Sequence, residues 1–123
     1  MKEEDFHDKL RRLIIEYILF GYKILKKFPK DELYGMTSQC RRALVSIFLN
    51  YVEGFSRISK GVMRNAYEMS YGSLQESIGV FFLATHLRFI TKDDYLGLFH
   101  RKEEIGKMLW KTIERIKNEP KKK

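Results

Sequence analysis

Apolar residues recur three and four positions apart along four stretches of the chain, and none alternates with period two. That spacing predicts helices alone. The first helix spans about 4–27, with the stripe Leu10, Leu13, Ile14, Tyr17, Ile18, Gly21, Ile24, Leu25 and Phe28. Pro29 ends it, because the residue before a proline avoids the helical region. Residues 30–36 form a loop. The second helix covers about 37–56, with Thr37 or Ser38 as its N-cap. The third covers about 59–90 and starts at Ser59. The fourth covers about 92–118, capped by Thr91, with Asp93 and Asp94 where carboxylates favour the positive end of the helix dipole. Its stripe is Tyr95, Leu98, Phe99, Ile105, Leu109, Ile113 and Ile116. Long helices joined by short connections predict an all-α, antiparallel up-down-up-down four-helix bundle. Residues 1–118 make one domain and 119–123 a basic tail.

The pattern holds more apolar surface than one bundle needs. The first helix has a second stripe, Ile15, Leu19 and Tyr22, and the second helix is apolar almost all round from Leu44 to Val52, Phe48 and Leu49 included. Such helices need cover on more than one side, which argues for a homo-oligomer. The third helix has a bulky face (Tyr67, Tyr71, Leu74, Ile78, Phe81, Phe82, Phe89) and a small one (Ala66, Ser70, Ser73, Ser77, Ala84). Gly72 and Gly79 each cost about 1 kcal/mol in a helix interior, and tight packing is the expected compensation.

Composition narrows the class. The chain has 123 residues, 44% of them hydrophobic, which excludes disorder and fits one domain. A single cysteine, Cys40, excludes an intramolecular disulfide framework and points to a reducing compartment. Acidic residues stand where a signal peptide is basic, and the apolar run Leu13–Phe20 falls short of a membrane span. The expected location is the cytoplasm, without a membrane partner.

Catalytic patterns are missing. Cys40 sits at a core-like position in the second helix and reads as a small buried hydrophobe. His7, His86 and His100 lie in three different helices, and the only Glu-x-x-His match, Glu4 to His7, falls at a chain end. No metal, cofactor or enzymatic activity is expected. Asn50 and Glu53, three apart on one helix face, are the remaining candidates for a buried polar site. A network fixing helix register or a subunit contact, with Glu53 paired to Arg57 or to another helix, is favoured over acid–base work.

The segment from Phe28 to Ala43, FPKDELYGMTSQCRRA, resembles the signature of the four-helix-bundle proteins encoded within intervening sequences of bacterial 23S ribosomal RNA genes. Val45-Ser46-Ile47 with Asn50 to Arg57 is similar to that family's second conserved segment. Gly72-Ser73-Leu74-Gln75-Glu76 matches its third-helix element, and Ile105 to Leu109 its closing helix. The likeness runs in order over about residues 17–117. Phe48-Leu49 replaces the usual Pro-Ser, and Tyr51-Val52 the usual Ile-Ala, which adds apolar bulk. The resemblance implies a left-handed antiparallel bundle in a homopentameric ring, with no assigned enzymatic activity. A related branch, the accessory variability protein of diversity-generating retroelements, binds nucleic acid and associates with a reverse transcriptase.

Charge gives the nucleic-acid expectation its residues. The chain carries 24 Lys and Arg against 16 Asp and Glu, a net +8. Residues 1–30 hold eight basic and five acidic side chains, whereas residues 31–58 balance three against three. Lys23, Lys26, Lys27 and Lys30 cluster near the end of the first helix, where the dipole accounts for part of the cluster. Arg41 and Arg42 oppose the dipole at the start of the second helix and ask for a phosphate, an acidic partner or an intersubunit pair. Arg57, Lys60 and Arg64 add a basic stretch at the next turn. These nine are the candidate nucleic-acid contacts. Ile15, Leu19, Tyr22, Phe48, Leu49, Asn50 and Glu53 are the candidate interface or polar network. Tyr34, Tyr51 and Tyr67 read as packing residues before base-stacking ones. No sequence-reading motif is present, so backbone binding without base readout is expected. The competing expectation is a structural or protein-interaction oligomer that meets an acidic protein, such as a reverse transcriptase or a ribosome-associated factor.

Overall fold

The structure, a computed structural model, describes residues 4–119. Four helices, α1 (Phe6–Leu25), α2 (Met36–Ser56), α3 (Lys60–His86) and α4 (Lys92–Lys117), follow one another, with a short 3₁₀ turn at Lys30–Glu32. Among the described residues there is no strand. Each helix packs on its chain neighbours, and α4 closes back on α1. Cross-helix pairs run in opposite senses: His7 meets Tyr51, Ile47 meets Ser70, Phe82 meets Tyr95, and Lys27 meets Asp94. The arrangement is therefore an antiparallel four-helix bundle. The basic tail lies outside the described residues, Glu119 excepted.

The predicted stripe of α1 is its buried face: Leu10, Ile14, Tyr17, Gly21, Ile24 and Leu25 are all buried. Gly21 lets α1 approach α2, since a Cβ there would stand 2.9 Å from Leu44 Cδ1. Gly54 does the same against the Tyr67 ring, also at 2.9 Å. Across the diagonal, the Tyr17 hydroxyl donates to Ser77 Oγ at 2.8 Å, and Ser77 in turn donates to the Leu74 carbonyl at 2.7 Å. This chain leaves neither buried hydroxyl unpaired, which would cost about 1–3 kcal/mol.

The helix ends differ from the sequence expectation in four places. Helix α1 leaves α-geometry at Leu25, because Lys26, Lys27 and Phe28 bond to carbonyls three residues back before Pro29. Helix α2 starts at Met36 with Gly35 as N-cap, and Glu32 Oε2 accepts from the Met36 amide at 3.3 Å. Thr37 is thereby buried inside the helix rather than capping it. Ser59 occupies the N-cap of α3 but makes no side-chain capping bond. Helix α3 ends at His86, not at Phe89 or Ile90. There Arg88 takes a left-handed conformation (φ 64°), the Phe89 amide bonds to the Ala84 carbonyl at 2.9 Å, and the Arg88 amide bonds to Thr85 at 3.1 Å. That is a Schellman stop built without glycine. Thr91 forms the full capping box with Asp94, at 3.0 and 3.1 Å.

Gly72 and Gly79 overturn the tight-packing expectation within the protomer, since nothing lies within 4 Å of a Cβ at either position. Both face outward from α3. Gly72→Ala and Gly79→Ala are therefore expected to stabilise the fold by about 0.5–1 kcal/mol each, through helix propensity. Urea denaturation checks this. Destabilisation would mean that another subunit packs on these glycines.

Candidate functional site

The second apolar stripe of α1 meets the outer side of α2. Ile15, Leu19 and Tyr22 stand beside Val45 and Leu49, all exposed, with Phe48 half-buried among them, and Val52, also exposed, follows one turn along α2. Leu19 is 65% exposed and Leu49 59%, high values for leucines in mid-helix. Two depressions mark the surface. One, of about 200 Å³, is lined by Ile15, Ile18, Leu19, Val45 and Phe48. The other, a shallow groove of about 520 Å³, runs past Tyr22, Arg41, Arg42 and Leu49 to Asn50. Of the residues expected to form an interface, Ile15, Leu19 and Phe48 line the first depression and Tyr22, Leu49 and Asn50 the second, while Glu53 lines neither. The feature arises because α2 buries one side, through Cys40, Ala43, Leu44, Ile47 and Tyr51, and leaves Val45, Leu49 and Val52 outward.

Asn50 and Glu53 do not form a joint buried site. Asn50 Nδ2 donates to the Ser46 carbonyl at 2.9 Å and to Ser46 Oγ at 2.8 Å, and Ser46 meets Ser73 Oγ of α3 at 2.8 Å. Glu53 instead pairs with Arg57 one turn along, at the surface, with Arg57 Nε 2.6 Å from Oε1. A carboxylate that stays hydrated needs no buried partner, so the expectation of an interior Glu53 is corrected.

The nine candidate cations divide between the two ends of the bundle. Lys23, Lys26, Lys27 and Lys30 lie at the end of α1, beside Arg41 and Arg42 at the start of α2. Arg57, Lys60 and Arg64 lie at the other end, about 24 Å away by the 1.5 Å rise over the 16 residues from Arg41 to Arg57. The second group has carboxylates at hand: Arg57 with Glu53, Lys60 with Glu119, and Arg64 Nε 3.6 Å from Glu68. Lys27 Nζ is also engaged, donating to both Asp94 oxygens at 2.9 and 3.0 Å. Burial pushes the Asp94 carboxyl up, but the bonds from Lys27 and Thr91 outweigh it and hold it below the usual carboxylate range. Lys23, Lys26, Lys30 and Arg41 pair with no carboxylate among the described residues. Arg41 lies over the Tyr22 ring at 5.9 Å, and Arg42 donates to Ser38 Oγ at 2.8 Å. These contacts partly explain how two arginines are tolerated against the α2 dipole.

Cys40 is fully buried, and burial pushes its thiol up to about 12, so it is protonated near neutral pH and a poor nucleophile. His7 Nδ1 lies 2.7 Å from the Tyr51 hydroxyl. Burial first, and Arg11 second, pull its pKa below the ordinary imidazole value. It lines a cavity of about 220 Å³ at the Arg57 end, floored by Phe6, Met63 and Tyr67 and edged by Lys111 and Arg115. Among the described residues, no three His, Cys, Asp or Glu side chains gather to hold a metal ion, and no helix is long and apolar enough to cross a membrane.

Sequence reasoning missed one surface. Trp110 of α4 is 54% exposed, its ring centroid 5.9 Å from that of Tyr71 on α3. The two rings, with Gly106, Lys107 and Lys111, line a groove of about 330 Å³. A signal was present: Trp110 falls off the predicted stripe of its helix and has lysines at positions 107 and 111. Of the tyrosines considered for stacking, Tyr51 and Tyr67 are core residues, while Tyr34 is 94% exposed.

Comparison with known proteins agrees with this architecture. The family model described as 23S rRNA-intervening sequence protein matches residues 10–111. A solved structure of a protein with unknown function from the S23 ribosomal protein family of Bacteroides thetaiotaomicron VPI-5482 superimposes with a TM-score of 0.81. It covers 89% of this chain and 99% of its own, at 19% identity, so it bears on the fold alone. No curated protein matches the chain.

Proposed function

The chain belongs to the family of 23S rRNA-intervening sequence proteins, and on that premise we propose that it works without catalysis, as a self-associating helical bundle that holds nucleic-acid backbone. Copies of the chain meet through the α1–α2 face, in the five-fold ring that the family resemblance implies. The observation that carries this reading is the solvated apolar face of Ile15, Leu19, Tyr22, Val45, Leu49 and Val52, edged at one end by Lys23, Lys26, Lys30 and Arg41. Apolar patches of this kind mark interfaces. Unpaired cations at the rim of an oligomer repeat with its symmetry. Five copies would carry 5 × 8 = +40, a field able to follow a polyanion without reading bases.

The test is a titration with RNA and with DNA at low and moderate salt. Binding is expected to weaken steeply as salt rises, because neutralised phosphates release counterions. Arg41→Ala with Arg42→Ala should weaken binding to every sequence equally and flatten the salt dependence. No binding at low salt, or binding indifferent to salt, removes the nucleic-acid reading. If native protein then recovers an acidic protein that persists through nuclease treatment, the protein-interaction reading takes its place.

A further inference from the structure

The Tyr71–Trp110 groove lies on α3 and α4, away from the α1–α2 face. Trp110 exposes more than half of a large aromatic ring, and Tyr71 backs it at 5.9 Å with the planes inclined at 54°. The groove floor is Gly106, where a Cβ would come to 3.9 Å from Tyr71 Cε2, so the absent side chain leaves space beneath the rings. Lys107, Lys111 and Arg115 follow one another at four-residue spacing along α4, a row of cations about 6 Å apart along the helix axis. All three are exposed, and none pairs with a carboxylate among the described residues. The acid on the groove wall, Glu103, is occupied by Lys102 at 3.1 Å. An open aromatic face beside a row of unpaired cations suits a flat, apolar, π-bearing group joined to a run of negative charge.

We propose that this groove is a base-stacking subsite for single-stranded nucleic acid, in which an unpaired base lies against Trp110 while the adjoining phosphates run along Lys107, Lys111 and Arg115. The inference rests on the nucleic-acid reading above and adds a strand preference to it. A duplex keeps its bases stacked on one another and offers only phosphates, whereas every unpaired base presents a face to an indole.

Trp110 is the only tryptophan in the chain, so emission excited selectively from tryptophan, apart from the seven tyrosines, reports this groove. The experiment titrates the whole protein with a single-stranded oligouridylate and with a duplex of equal phosphate content, following both tryptophan emission and the anisotropy of labelled nucleic acid. The single strand should quench the emission at the concentrations where anisotropy rises, and the duplex should bind without comparable quenching. Trp110→Ala should weaken single-strand binding about 5- to 150-fold, the range that loss of one stacked base implies. Its salt dependence should stay unchanged, and Trp110→Phe should restore much of the affinity. Lys107→Ala with Lys111→Ala should instead flatten the log–log salt slope by about 1.4. Binding without quenching, or full affinity in Trp110→Ala, overturns the stacking subsite and leaves backbone binding standing. A fall in native mass in Trp110→Ala also overturns it, by making the indole a subunit contact. No binding of either nucleic acid at low salt overturns both readings.

Discussion

Leu19→Glu combined with Leu49→Glu is expected to reduce the native assembly to protomers of 14.8 kDa. Both leucines are among the most exposed apolar residues of the α1–α2 face, and neither contributes to the buried core. A carboxylate at either position stays hydrated in an isolated protomer and costs the fold little, since surface substitutions usually fall within about 0.5 kcal/mol. In an assembly that covers this face, the same carboxylates would be buried without partners, at a cost of several kcal/mol per subunit contact. That asymmetry separates association from folding. Light scattering behind size exclusion reads the mass, and circular dichroism confirms that the helices persist. The variant should also lose nucleic-acid affinity, because a protomer of charge 8 − 2 = +6, after the two added carboxylates, replaces a multiply charged particle. If wild-type protein is itself monomeric, or the variant keeps the wild-type mass, the α1–α2 face is not the interface.

Phe81→Ala is expected to destabilise the bundle by about 3–5 kcal/mol. The ring is fully buried and meets Phe28 edge-on, with centroids 6.2 Å apart and planes at 85°. It also approaches the space that Gly21 leaves open, 3.5 Å from where a Cβ would stand. Phe81 therefore joins α3 to α1 and to the segment after it, and its removal leaves a cavity that no single neighbour can fill. At roughly 4 °C per kcal/mol for a domain of this size, the melting temperature should fall by about 12–20 °C. Phe82→Ala is the matched control: the same residue type one position along, 46% exposed, should cost about 1 kcal/mol or less. Both are measured at one protein concentration, because association stabilises the folded state by mass action. Equal losses at the two positions would contradict the assignment of Phe81 to the core.

The bundle was legible because its information is local and periodic. Leu10, Ile14, Tyr17 and Gly21 recur at the helical interval, and burial follows that interval directly. The capping box of Thr91 and Asp94 was half-legible for the same reason, its partners being three residues apart: Thr91 and the acidic first turn were foreseen. The end of α3 was not, because the left-handed stop usually announced by glycine is made at Arg88. The cap of α2 was not either, since Thr37 and Ser38 have the usual capping hydroxyls and the group that acts is the Glu32 carboxylate.

The candidate site was legible as a list of exposed types and not as a surface. The chain by itself determined four amphipathic helices, an apolar stripe on α1 and an apolar α2 beyond the needs of one core, and a positive balance concentrated toward its two ends. Those properties depend on residues within a turn or two of one another. The tertiary structure alone decided which cations are engaged by carboxylates distant in sequence. Lys27 meets Asp94 across 67 positions of sequence, while Lys23 and Lys26 beside it meet no carboxylate among the described residues. It separated Arg57, Lys60 and Arg64 from Arg41 and Arg42 by a helix length. It turned Glu53 outward and set Trp110 against Tyr71 in an open groove. Charge and aromatic contacts act over a few ångströms in space, and a folded bundle brings within that range residues that the chain order keeps dozens of positions apart.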